Sequence, residues 1–85
     1  MSGTDDARKI EIADISVIMS TKGGRKFISR VLDQCGVFSD TFDSDTHEHA
    51  KNAGRRQIGL WLVNEIKEAS PGEYVTLMKE RLDDE

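Results

Sequence analysis

Apolar residues recur at helical spacing along most of this chain, and turn signals divide it into four segments. Between Ala7 and Met19 the apolar positions are Ile10, Ile12, Ile15, Val17 and Ile18. Part of this run alternates as a strand would, but a lone strand finds no partner elsewhere, so the segment reads as a helix. "STKGGRK" then breaks the chain, with Ser20 or Thr21 available as the next helix cap. Phe27, Ile28, Val31, Leu32 and Cys35 follow as one apolar stripe, with Lys26, Arg30 and Asp33 opposite, predicting a helix from about 22 to 35. Gly36 suits the left-handed residue that closes it.

"GVFSDTFDSDT" has turn chemistry but carries Val37, Phe38 and Phe42, which are expected to tuck under the loop and extend the core. Asp45 and Glu48 form a capping box for the longest helix, about 46–69. Its second half is apolar almost all round, through Ile58, Leu60, Trp61, Leu62, Val63 and Ile66. A helix of that kind is expected to be surrounded by others. Ser70, Pro71 and Glu73 restart the chain into a short final helix whose inward face is Val75, Met78 and Leu82, with Tyr74 and Leu77 beside them.

The fold class that follows is all-α, a small bundle of three to four helices around a central long helix at about 46–69. A disordered start (1–6), a single helical domain (7–82) and a frayed acidic end (83–85) complete the division. The predicted core residues are Phe27, Val31, Phe38, Ile58, Trp61 and Leu62, with Trp61 as hub; an exposed tryptophan anchor is the alternative.

Eighty-five residues make one domain with one modest core. A net charge of −4 argues against general polyanion binding, because phosphate contacts need a surplus of Lys and Arg. The single cysteine, Cys35, excludes an internal disulfide and, on its apolar stripe, reads as a packed thiol. The opening "MSGTDDARK" has no apolar signal core, and no apolar run approaches the ~20 residues needed to span a bilayer. A soluble protein of a reducing compartment, with no membrane partner, is expected.

Candidate chemistry is sparse. His47 and His49 stand at i and i+2, about 200° apart on a helix, and would share a metal only in an irregular turn helped by Asp43 or Asp45. "DTFDSDTHE" alternates acids as a calcium loop does, yet lacks the central glycine and the bidentate glutamate. In "TKGGRK" the lysine precedes the glycine pair, the reverse of a phosphate loop. No His–Asp or His–Ser pairing supports catalysis, so the expectation is a non-enzyme without metal or cofactor.

Charge is the more informative pattern. Successive segments carry −2 (1–20), +3 (21–36), −4 (37–49), +3 (50–63) and −4 (64–85). If the two basic helices pack side by side, Lys22, Arg25, Lys26, Arg30, Lys51, Arg55 and Arg56 form one patch that could receive an acidic protein face or a phosphate backbone. The alternative is internal pairing with Asp33 and the 37–49 loop. Arg55 and Arg56 point about 100° apart, so unequal roles are expected. One should pair inward with Asp43 or Asp45, with Arg55 the favoured candidate, and the other should face outward.

The order "S-T-x-x-G-R-x-F-I…L-x-x-C-G-V-F…F…D…A…G-R-R-x-I-G-L-W-L…E-I…A-x-P" is similar to a family of short proteins of tailed bacteriophages, encoded among portal, head and packaging genes. The matching residues run from Ser20 through Tyr74, about two thirds of the chain, and are most specific at "CGVF" (35–38) and "GRRQIGLWL" (54–62). Lys22 and Gly23 depart from the proline and acidic residue expected there, which bears on the start of the second helix. The resemblance implies a non-enzymatic phage accessory protein, virion-associated or assembly-related, that binds another phage protein. It would sit in the host cytoplasm and, in the virion case, be incorporated in the particle. An early protein that inhibits a host enzyme and a weak nucleic-acid binder are the alternatives, and oligomeric state is left open.

Overall fold

A computed structural model describes residues 2–38 and 46–83, with side chains over 5–38 and 53–83. Four helices follow one another: α1 (Ser2–Met19), α2 (Lys22–Gln34), α3 (Thr46–Ala69) and α4 (Pro71–Asp83). There is no strand among the described residues. The small all-α bundle around the helix at 46–69 is therefore as the sequence predicts: α3 packs against α1, α2 and α4, and α2 also packs against α1 and α4.

The strand-like alternation of α1 resolves into a helix that presents Ile12, Ile15, Ser16 and Met19 inward. Those positions are separated by 3, 1 and 3 residues, so they lie on one face, while Ile10 and Val17 fall on the opposite side and are exposed. The helix begins at Ser2 rather than Ala7, so the expected disordered start is helical from its second residue. Asp5 in the first turn suits the positive end of the helix dipole.

The predicted punctuation of α2 is present. Thr21 is the N-cap, its Oγ1 accepting from the Gly24 N–H at 2.9 Å, and Gly36 takes the left-handed conformation at φ 73°. The box expected at α4 is replaced by tertiary bonds. The Ser70 hydroxyl donates to Ser16 Oγ at 3.1 Å, Ser16 donates to the Ala69 carbonyl, and the Glu73 carboxylate accepts from Arg25. The box proposed for α3 involves Asp45, and Phe42 was expected under the loop; both lie outside the described residues.

Met19, Ile28, Leu32, Val63, Ile66 and Leu77 form the buried core, with Ile15, Val37, Phe38, Leu62, Tyr74 and Met78 packed round it. Phe38 and Leu62 are thus placed at the core's margin, and Val31 is half-buried on the flank of α2. On α4 the expected inward residues Val75 and Leu82 are exposed and Leu77 is the buried one. Three of the six predicted core residues are also not in the core. Trp61 is 59 % exposed, Ile58 62 % and Phe27 58 %.

The reason is angular. The buried side of α3 is the row Gly59, Val63 and Ile66. At 100° per residue, Trp61 lies about 140–160° round the helix from all three. Phe27 is likewise turned about 100° from Ile28. The molecule spans 16 Å in its shortest dimension, too little for a helix to be enclosed on every side, so each helix keeps an outward face. Around Ile58 and Trp61 the apolar circumference is covered on one side only, and α1 closes over the other side a turn later, at Glu65.

Gly59 explains how close that side comes. A Cβ built there would overlap Val37 Cγ2 and lie 2.7 Å from Cys35 Cβ. The glycine lets α3 rest on the turn that ends α2, and Cys35 is half-buried against it.

Candidate protein-binding surfaces

Two arginines tie α2 to α4 in opposite directions. Arg25 of α2 reaches across with Nε and Nη2 to the two carboxylate oxygens of Glu80, at 2.8 and 3.2 Å. Its Nη1 donates to Glu73 and to the Met19 carbonyl, both at 3.0 Å. Arg81 of α4 reaches back, donating to Ser29 Oγ at 2.5 Å and Asp33 Oδ1 at 2.8 Å, with its guanidinium 4.1 Å from the centre of the Phe38 ring. Bidentate, partly screened pairs of this kind are stronger than ordinary exposed ones.

Arg25, expected on a partner-binding patch, is therefore a structural residue whose side chain is only 12 % exposed. It lies about 20° from Leu32 and about 60° from Ile28 round α2, which turns it toward the core and α4 rather than outward. Its hydrogen bonds hold the Glu80 carboxyl below its ordinary value, with Lys22 adding to the effect and burial opposing it.

A third arginine, missed by sequence reasoning, fastens α1 to α3. Arg8 donates to both oxygens of Glu65 at 2.7 and 2.6 Å and to Glu68 at 2.6 Å, with Glu11 of its own helix alongside. Glu65 is held below its ordinary value by that hydrogen bond, and Arg8 is raised by it. Only the α1–α3 crossing brings these residues together, 57 positions apart.

Beside the α2–α4 seam runs a groove of about 350 Å³, lined among others by Lys22, Lys26, Arg30 and Arg81. Lys26 and Arg30 are exposed, as a partner-facing role requires. Arg55 and Arg56 do not line it, so the expected single basic patch is divided between two places. Both side chains are exposed. Their proposed partners Asp43 and Asp45, and the side chain of Lys51, lie outside the described residues.

The second place is the outward side of α3. Ile58 and Trp61, three residues apart, share a face one turn beyond Arg55, and Leu60 is exposed at 43 % on the flank. His47 and His49 belong to the part of α3 whose side chains lie outside the described residues. Among the described residues, no group of three or more His, Cys, Asp or Glu is placed to hold a metal, and no helix is long and apolar enough to cross a membrane.

A family model described as Bbp19-like phage protein matches residues 16–79, about three quarters of the chain. That span takes in α2, α3 and most of α4, and begins at the last turn of α1. No curated protein and no solved structure matches the chain.

Proposed function

As the chain belongs to the Bbp19-like phage protein family, we propose that it is a non-enzymatic accessory protein, virion-associated or assembly-related, that works by binding another phage protein through the outward face of α3. The observation that carries this reading is a tryptophan 59 % exposed in mid-helix beside an isoleucine 62 % exposed. Isolated apolar residues on a surface need no explanation, but a large aromatic paired with an aliphatic residue one turn away is the usual composition of an interface anchor. Arg55, one turn before Ile58, borders this face and supplies part of the polar rim that such anchors have, while Arg56 points about 160° away from Ile58.

The test is mass spectrometry of purified particles and assembly intermediates from phage carrying the natural chain or Trp61→Ala. The chain is expected in one of these fractions, and the substitution should remove it while its melting stays close to that of the natural protein. Absence of the natural chain from every such fraction, or its recovery on a host enzyme alone, would overturn the reading.

A further inference from the structure

The groove between α2 and α4 has a charge account of its own. Four of its lining residues already satisfy one another: Arg25 with Glu80, and Arg81 with Asp33. These pairs fix the walls, and the buried Leu77 closes the floor. Lys22, Lys26 and Arg30 remain, all exposed, with no ion pair among the described residues.

They follow one another at four-residue intervals along α2, so their attachment points rise about 6 Å at a time along the seam. Arg25 and Arg81 hold the two helices in register beneath this row. It is a row of three positive charges, anchored on a fixed helix, on a chain whose net charge is −4.

We propose that this groove binds an acidic segment of a partner protein, an Asp/Glu-bearing helix whose carboxylates recur at the same four-residue interval. Carboxylates one helical turn apart match the row in spacing and sign, which gives register as well as attraction. A nucleic-acid backbone fits less well. Its phosphates continue past the short row, where Asp33 and Glu80 line the same groove and the surrounding protein is acidic. The site is separate from the α3 face that carries Trp61.

Fluorescence anisotropy at low salt, with a labelled helical peptide bearing Glu at every fourth residue, tests this on the full chain. Lys26→Glu/Arg30→Glu should weaken binding by at least about tenfold, while Lys9→Glu/Lys79→Glu, equal in charge change but outside the groove, should stay within about twofold. Trp61→Ala should leave peptide binding unchanged, which separates this site from the α3 face. Circular dichroism checks the fold, and the neutral pair Lys26→Gln/Arg30→Gln should show the same loss in smaller degree. The inference fails if the peptide does not bind, if the control pair weakens it equally, or if a single-stranded oligonucleotide of the same charge binds more tightly than the peptide.

Discussion

The two sides of α3 hold similar apolar side chains in opposite surroundings. Val63 and Ile66 look inward onto Met19, Leu32 and Leu77, and Gly59 lets the helix lie directly on the end of α2. Ile58 and Trp61, one turn away on the far side, face outward. What separates them is angle together with position along the axis: Glu65, four residues beyond Trp61 on the same side, is covered by α1 through Arg8, whereas Ile58 and Trp61 are not. Of the three tertiary ion-pair clusters, those at Arg25 and Arg81 join α2 to α4, and the one at Arg8 ties α1 to Glu65 and Glu68, one and two turns beyond Trp61 on the same side of α3.

The comparison breaks first where burial is complete. Ile66→Ala removes a side chain with no exposed surface, so it should cost about 2–5 kcal/mol in chemical denaturation. A cost near that of a surface change would mean that the covered side of α3 is not the core. Next comes Gly59→Ala. The added methyl meets Val37 and Cys35, and overpacking of about 1–3 kcal/mol outweighs the ~1 kcal/mol that alanine gains in helix propensity. A stabilised variant would show that α3 and the α2 turn stand further apart.

The ion pairs sharpen the comparison through pH. Glu65 and Glu80 are both lowered from the ordinary carboxylate value of 4.5. A group with a depressed folded pKa contributes stability that is present above its unfolded value and lost as pH falls through the folded one. Melting should therefore be steady near neutrality and decline below about 4.5. Arg8→Gln should lower melting at neutral pH and flatten the acid decline; an unchanged acid limb would remove Glu65 from the account.

How legible all this is from sequence depends on whether the pattern is one-sided. In α2 the apolar stripe is narrow, and Ile28, Leu32, Thr21 and Gly36 all stand where their spacing and chemistry put them. In α3 the apolar residues run all round, so periodicity selects no face, and the largest side chain drew the expectation of a hub. The small residue was the better signal, because a buried glycine inside a helix marks close approach of a neighbour. Arg25 was legible as a cation but not as a strut, since Glu73 and Glu80 lie 48 and 55 residues away and only the α2–α4 crossing angle aligns them. Arg8 and its glutamates were invisible for the same reason.

The smallest expected effect on stability belongs to Trp61→Ala, about 1 kcal/mol or less, as for other surface positions. The same residue gives the most direct measurement, because it is the chain's only tryptophan and its fluorescence reports no other site. In the free native protein, emission should lie near that of tryptophan in water and be readily quenched by acrylamide. A blue-shifted emission shielded from quencher, together with a stability loss in Trp61→Ala matching that of Ile66→Ala, would place the tryptophan in the core and contradict the open face of α3.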